Sequence, residues 1–398
     1  MRRRSLLYRA IPLLLVVLIT ATPVVGAADW RPALEPWNWR FPQDHGNHPS
    51  FRTEWWYFTG NLTDGAGRRY GYQLTFFRQG IRKSADAPAN PWSIGNVYLA
   101  HFAVTDVSRA KFFHADRISR SGPGLAGAAT GRMDVWNLNW FARMEGQSIR
   151  IGARHGPAEL ALKLRPIKPV VLHSSHGLSK KGPHPGQAAH YYSFTSLATT
   201  GTLKTADGGE TVNVRGTSWF DHEFTSNALA ADQAGWDWFS LHCSDGRDLM
   251  IYLMRKVDGS WEKESSGTIV ESDGKSRHLH LSELTMALKG HWTSARTGAR
   301  YPVRWQIDIP AAALQVSLAP LLADQELTTP RSMGVTYYEG AVAGKGSSRG
   351  KPVVCEGYIE MTGYPKRWEA CFSGQVSRPS EPEGQNSGLT IAPFSNKR

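Results

Sequence analysis

An internal repeat restricts the folds that this chain can adopt. Residues 55–65 align with residues 236–246, and the next runs, 73–78 and 250–255, also align when one gap of four residues is allowed. Because the order of the motifs is kept, the sequence predicts a tandem duplication. Chance similarity between two amphipathic hairpins is the alternative. A tyrosine pair and a later glycine follow in the same order in both copies, namely Tyr191-Tyr192 with Gly216 and Tyr337-Tyr338 with Gly357.

Each copy has the pattern of short antiparallel strands. Runs such as 72–78, 97–105 and 249–255 alternate or are rich in β-branched and aromatic residues, and Asp-Gly turns separate many of the runs. No long stretch has the period of a helix. We therefore predict an all-β fold of two tandem antiparallel β-barrels, over residues 48–226 and 235–372. A small barrel of this kind can hold one small apolar ligand in its interior.

Both ends of the chain differ from the body. Residues 1–27 contain a basic start, an apolar run and small residues at the end, which is the pattern of a secretory signal peptide. We expect cleavage there and a secreted or periplasmic protein, with an uncleaved anchor as the alternative. Residues 377–398 are rich in Ser, Pro, Glu and Asn and predict a disordered tail.

The charge pattern bears on partners. The formal net charge is +12, but the basic residues form pairs such as Lys180-Lys181 rather than tracts. Nucleic acid is therefore not a predicted partner. A basic exported protein could associate with an anionic membrane surface, and the sequence leaves this open.

The cysteines predict one disulfide. Cys243, Cys355 and Cys371 are an odd number for an exported chain. The segment between Cys355 and Cys371 has the length of a hairpin, so we expect these two to be bonded and Cys243 to be a buried thiol.

The densest polar cluster is Asp221-His222-Glu223, inside an aromatic run. Burial of ionisable groups is costly unless they are paired or used in chemistry, so we predict these three as catalytic residues. On a regular strand Asp221 and Glu223 share one face and His222 lies on the other, so a compact site needs a bulge or outside partners. The corresponding strand end of the second copy, 361–364, contains only a tyrosine as an ionisable residue. The alternative to a catalytic role is that Asp221, His222 and Glu223 form a hydrogen-bonded corner that connects the two halves.

Other candidates are weaker. Glu54 lies beside two tryptophans, and His101 lies within the apolar run 98–104, where a satisfied core histidine is the alternative. No serine-hydrolase elbow, phosphate loop or zinc-protease motif is present, so a hydrolase has no visible nucleophile. A further group of histidines is loosely spaced in a Gly/Pro loop, and no metal site is predicted from them: His173, His176, His184 and His190.

A set of motifs resembles the AttH-like proteins, which belong with the carotenoid 1,2-hydratases (hydroxyneurosporene synthases). The resemblance extends over about residues 48–366. The motifs are EWWYFTG (54–60), AHFAVTD (100–106), YYS (191–193), WFDHE (219–223), GWDWF (235–239) and GYIEMTGY (357–364).

This resemblance implies two lipocalin-like barrels, a lipophilic small-molecule ligand and no cofactor. In the hydratase branch it implies addition of water to an isoprenoid double bond, which needs an acid with a raised pKa in a dry pocket. Asp221 or Glu223 would be that acid, and His222 would be its partner or would orient water. Our candidates for contact with the ligand are Glu54, Trp56, His101, Tyr192 and Trp238.

Two positions depart from the hydratase pattern. Phe224 stands where that pattern has a tryptophan, and Met254 stands where a Tyr-x-Asp pair has its carboxylate. These departures weaken the case for carotenoid hydration itself. We therefore expect an acid–base hydratase or isomerase acting on a C=C bond of an isoprenoid- or lipid-like ligand. The alternative is a non-catalytic carrier of lipophilic ligands or an accessory to an ABC-type envelope transporter.

Overall fold

The computed structural model describes residues 30–82, 94–207 and 209–366. The predicted signal peptide, the predicted tail and Cys371 lie outside this part of the chain. Within it, no helix is long and apolar enough to cross a membrane. Regular structure in these residues is β-strand, apart from three 3-10 helices, Gln43–His45, Leu281–Glu283 and Pro310–Ala312.

The first copy folds into one antiparallel sheet of thirteen strands. The strands are β1 (Thr53–Asp64), β2 (Arg69–Gly80), β3 (Asn96–Asp106), β4 (Lys111–Arg120), β5 (Ala126–Ala128), β6 (Asp134–Asn137), β7 (Trp140–Glu145), β8 (Ser148–His155), β9 (Ala158–Pro166), β10 (Val171–Leu172), β11 (Leu178–Lys180), β12 (Ala188–Lys204) and β13 (Val212–Thr225). Their spatial order is β4-β3-β2-β1-β13-β12-β9-β8-β7-β6-β5, and β10 and β11 pair with β12.

The two ends of this sheet meet, so that it forms a nearly closed barrel. Asn137, at the end of β6, donates from Nδ2 to the carbonyl oxygen of Tyr98 in β3 at 3.0 Å. Its Oδ1 accepts a hydrogen bond from Ser119 Oγ in β4 at 2.8 Å. Because Asn137 is fully buried, this one side chain bridges strands that are far apart in the order of the sheet.

The second copy folds into an antiparallel sheet of ten strands, which forms a half-barrel. The strands are β14 (Gln233–Cys243), β15 (Asp248–Lys256), β16 (Ser266–Val270), β17 (Ser276–His280), β18 (Thr285–Thr293), β19 (Arg300–Ile309), β20 (Leu314–Pro320), β21 (Glu326–Thr328), β22 (Thr336–Ser348) and β23 (Lys351–Met361). Their spatial order is β17-β16-β15-β14-β23-β22-β20-β19-β18, and β21 pairs with β22. The all-β prediction with two tandem units is confirmed.

Strand alternation divides the aromatic side chains between the interiors and the seam between the halves. In β1, Trp56 and Phe58 point into the core of the first sheet, whereas Tyr57 points outwards. Tyr57 packs there with aromatic residues of both halves, including Trp219 and Trp238. The barrel interiors thus hold packed cores, and the space beside the candidate residues lies between the sheets rather than inside a barrel, where we expected it.

The expected disulfide is wrong. Cys243 in β14 is bonded to Cys355 in β23, with their Cα atoms 4.1 Å apart, although 112 positions separate them in sequence. The register of the two strands places these residues directly opposite each other. Such long-range pairing of strands cannot be deduced from the spacing of three cysteines.

Candidate functional site

Strand β13 presents its ionisable residues to two different environments. Asp221 and Glu223 line a cleft between the two sheets. His222 points to the other face, where it stacks on Trp56 inside the first barrel with ring centroids 4.8 Å apart. This is the division that strand alternation predicts, so the three residues do not form one compact site.

The cleft is narrow and aromatic. It encloses about 130 Å³. Its walls include residues of β2, β1, β13 and β12 from the first sheet and of β15, β14 and β23 from the second, so both halves are needed to form it. The carboxyl groups at its surface are Asp221 and Glu223 from the first half and Glu360 from the second, and the aromatic residues lining it are Trp55, Tyr57, Phe77, Tyr191, Trp236, Trp238 and Tyr252.

Asp221 is buried and held by donors of its own half. Tyr191 Oη donates to its Oδ2 at 2.9 Å, Trp219 Nε1 donates to its Oδ1 at 2.6 Å, and Ser193 Oγ also donates to Oδ1. Trp238 of the second half reaches the group indirectly, by donating from Nε1 to Tyr191 Oη at 3.1 Å. Burial raises the pKa of Asp221 to about 7, although the three hydrogen bonds act in the opposite direction.

Glu223 is paired with a cation. Lys181 Nζ lies 3.2 Å from its Oε1 and also lies over the ring of Tyr252, 4.0 Å from the centroid. Burial raises the pKa of Glu223, while the ammonium group of Lys181 acts to lower it. The ion pair therefore forms a charged border of an otherwise apolar wall that includes Met254.

Glu360 brings a carboxyl group from the second half. Trp236 Nε1 donates to its Oε2 at 2.9 Å. Burial raises the pKa of Glu360 to about 7, and the charges of Asp221 and Glu223 raise it further. Carboxyl groups from both copies of the repeat thus influence each other across the cleft.

The strand register shows that Glu360 is the counterpart of Asp221. Asp221 lies opposite Tyr57, and Glu360 lies opposite Trp238, which is the residue that the repeat equates with Tyr57. Our expectation that the second copy lacks a carboxyl group was therefore wrong. It rested on aligning Gly216 with Gly357, which is out of register by two residues because these glycines face non-equivalent positions of β1 and β14.

A second buried glutamate lies beside Glu360 on the neighbouring strand. Glu339 in β22 lies directly opposite Glu360 and is fully buried. Tyr57 Oη donates to its Oε2 at 2.9 Å, while its Oε1 has no hydrogen-bond partner among the described residues. Burial and the neighbouring Glu360 raise the pKa of Glu339 well above its usual range. The sequence analysis missed both Glu339 and Glu360. The alignment of residues 55–65 with residues 236–246 nevertheless has the correct register.

The opposite face of β13 holds a buried network around Glu54. Its Oε1 lies 2.9 Å from His222 Nε2 and 2.8 Å from His48 Nδ1, and its Oε2 accepts a hydrogen bond from Arg78 Nε at 3.2 Å. Tyr192 Oη lies 3.1 Å from His222 Nδ1. Although burial alone would raise the pKa of Glu54, the charge of His48 and the hydrogen bonds hold it well below its usual range.

This network is suited to hydrogen bonding rather than to a metal ion. The ligand atoms of His48, Glu54 and His222 lie within 4.8 Å of one another, as they would around a metal. However, the Glu54 oxygens already accept hydrogen bonds from the backbone and ring of His48 and from Arg78. The guanidinium group of Arg78, itself fully buried, would also repel a cation.

Among the predicted ligand contacts, Trp238 lines the cleft. Trp56 instead donates from Nε1 to the carbonyl oxygen of His45 at 3.1 Å, and Tyr192 Oη lies 2.7 Å from His45 Nδ1. Together with Glu54, these residues belong to the network inside the first barrel. The structure therefore separates them from the cleft by the thickness of the sheet.

His101 connects the two halves at another place. Its Nδ1 lies 2.6 Å from Tyr337 Oη and its Nε2 lies 3.0 Å from Ser332 Oγ, both in the second half. Burial lowers the pKa of His101 to about 3, so the ring is neutral. This arrangement fits the alternative of a satisfied core histidine.

Comparisons with known proteins agree on the fold. The AttH-like family model matches residues 32–364. A crystal structure of a protein from Nitrosomonas europaea described as AttH is 34% identical, with a TM-score of 0.74 over 84% of this chain and 99% of that one. Kievitone hydratase from Nectria haematococca is 18% identical, with a TM-score of 0.63 over 82% of this chain and 93% of that one. Among curated protein sequences, none matches.

Proposed function

Because the chain belongs to the AttH-like family and has its lipocalin-like fold, we propose that it is an acid–base enzyme acting on a small lipophilic molecule. The reaction is hydration or isomerisation of a carbon–carbon double bond of an isoprenoid- or lipid-like substrate. One observation carries this proposal: Asp221 and Glu360, one from each half, line the same aromatic cleft. The signal-like residues 1–27 support action in a secreted or periplasmic location.

The chemistry needs one protonated and one ionised group. Addition of a proton to a substituted alkene makes a carbocation, and water or loss of a neighbouring proton then completes hydration or isomerisation. Burial raises the pKa of both Asp221 and Glu360 to about 7, so near neutral pH one of them can be protonated while the other is ionised. The three hydrogen bonds on Asp221 favour its ionised form. We therefore assign Glu360 as the proton donor and Asp221 as the base.

The walls suit the cationic intermediate. Trp55, Tyr57 and Trp238 line the same cleft, and the faces of aromatic rings attract a positive charge. Met254, which stands where the hydratase pattern has a carboxylate, is also part of the wall. Glu360 supplies a carboxyl group to this cleft from another strand. The fold relative kievitone hydratase, an enzyme named for a hydration, supports the same reaction class.

A non-catalytic carrier is the second candidate, and the hydrogen bonding of the first half favours it. Asp221 accepts three hydrogen bonds, and Glu223 is ion-paired with Lys181. Both carboxyl groups could therefore serve only to fix the wall of a binding cleft. A carrier, including an accessory to an envelope transporter, would need the apolar cleft but no free acid.

Isotope incorporation distinguishes the two candidates. Lipids that copurify with the protein are identified by mass spectrometry and then incubated with it in deuterated, ¹⁸O-labelled water. Uptake of both labels indicates hydration, and uptake of deuterium alone indicates isomerisation. We expect D221N and E360Q to lower incorporation by at least about 100-fold while the lipid still binds.

Glu356→Gln is the matched control, because Glu356 lies on the same strand as Glu360 but is exposed outside this cleft. It should incorporate label at the rate of the unmodified protein. Lipid binding without any incorporation would favour the carrier, and full incorporation by E360Q would remove Glu360 as the acid.

A further inference from the structure

A second cleft lies on the same seam and has a different chemistry. It has a volume of about 880 Å³ and opens between β12 and β13 of the first half and β14 and β23 of the second. Thr217 of β13 lines it, whereas Asp221 of the same strand face lines the aromatic cleft. Trp219, fully buried, occupies the position between them. The two clefts are therefore distinct sites.

Three basic side chains line this cleft, and they come from β9 and β13, the two strands on either side of β12 in the first sheet. Lys163 of β9 and Arg215 of β13 both lie opposite Thr200 of β12. Lys163, Thr200 and Arg215 therefore form a row across these three strands. Arg165 is two residues beyond Lys163 and therefore shares its face. Arg150 of β8 extends the row, because it lies directly opposite Lys163.

The charges of this row are not compensated. In the described part of the chain, no ion pair within 4.0 Å involves Lys163, Arg165 or Arg215, whereas the nearby Arg69 lies 3.6 Å from Glu356. Arg150, directly opposite Lys163, is itself ion-paired with Glu145 at 3.7 Å, so the charges without a partner are those of Lys163, Arg165 and Arg215, which repel one another. A bound anion would reduce that repulsion. We refer to Lys163, Arg165 and Arg215 as the basic row.

The remaining lining provides hydroxyl groups. Thr63, Thr200, Thr217 and Ser148 line the cleft together with the basic row, and the one carboxylate among the lining residues is Glu356, at the second half. Guanidinium groups bind phosphate through two parallel hydrogen bonds, and hydroxyl groups donate to the remaining oxygens. Thus we propose that the second cleft binds the phosphate group of a small phosphorylated molecule.

This ligand is separate from the lipophilic substrate of the aromatic cleft. Because Asp221 lies six positions beyond Arg215 along β13, these two residues are about 20 Å apart along the strand. The phosphate could belong to a soluble compound or to a lipid headgroup, and both would make the same contacts with the basic row. Experiment decides between these two sources.

Calorimetric titration with glycerol 3-phosphate tests the proposal. The triple variant K163Q/R165Q/R215Q should bind at least about 10-fold more weakly than the unmodified protein, since hydrogen bonds to charged groups are among the stronger ones. The control variant K289Q/R304Q/K345Q removes the same charge from exposed positions of the second half and should bind normally. Glycerol, which lacks the phosphate, should not bind.

Vesicle flotation distinguishes the source. Flotation with phosphatidylglycerol vesicles but not with phosphatidylcholine vesicles, lost in the triple variant, would indicate a lipid headgroup. Binding of glycerol 3-phosphate alone would indicate a soluble ligand. The proposal is overturned if the unmodified protein binds neither probe at low salt, or if the control variant loses as much affinity as the triple variant. Circular dichroism checks that the variants are folded. If the triple variant does not fold, R215Q alone is tested in its place.

Discussion

Replacement of Asp221 by asparagine should change how the stability of the protein depends on pH. Burial raises the pKa of Asp221 from 3.8 to about 7, and each pH unit corresponds to about 1.36 kcal/mol. The folded state therefore prefers the protonated group by about 4 kcal/mol. The amide introduced by D221N would keep the shape of this group but could not ionise.

The direction in which pH changes the free energy of unfolding follows from proton linkage. Between about pH 4 and pH 7 the unfolded chain loses the proton of Asp221 while the folded protein keeps it, so the free energy of unfolding falls as the pH rises. In D221N this contribution is absent. Relative to the unmodified protein, the variant should therefore gain up to about 4 kcal/mol between about pH 4 and pH 8.

Urea denaturation followed by tryptophan fluorescence at several pH values measures this difference. Asp64→Asn serves as a control of opposite sign: burial alone would raise the pKa of Asp64, but hydrogen bonds from Arg68 and Ala66 hold it below its usual range. D64N should lose stability relative to the unmodified protein as the pH rises through the acidic range. Parallel pH curves for D221N and the unmodified protein would refute the reasoning about Asp221.

Two further predictions concern the scaffold. Replacement of Cys243 and Cys355 by alanine should lower the free energy of unfolding by about 5 kcal/mol, because the bond closes a loop across 112 positions; chemical denaturation measures this, and an unchanged midpoint would contradict it. Glu54→Gln should lower the free energy of unfolding by about 3–5 kcal/mol, since it leaves the buried Arg78 without its ion pair. Affinity for a copurifying lipid should be kept in this variant, and its loss would mean that the network and the cleft are coupled.

Local sequence patterns were sufficient for the fold and for the faces of the strands. The repeated aromatic hairpin predicts two tandem units, and alternation alone places Asp221 and His222 on opposite sides of β13. These properties depend on neighbours along one strand, and the geometry of a strand is the same wherever it lies.

Long-range register could not be read from the sequence. The pairing of Cys243 with Cys355 and the equivalence of Asp221 and Glu360 both depend on how β14 meets β23. A shift of two residues preserves the face of every side chain but changes every partner, so periodicity does not detect it. His48 was missed for a different reason: it precedes the first strand, in a segment without periodicity, and joins Glu54 only in the folded protein.

The small volume of the aromatic cleft has a consequence for selectivity. Pockets that enclose a whole drug-sized molecule have volumes of about 300–1,000 Å³, whereas this one has about 130 Å³. The cleft would therefore hold only a short part of a long hydrocarbon, and the rest would remain outside it. A catalyst of this size would modify only bonds in the part that it holds, however many equivalent bonds the molecule contains.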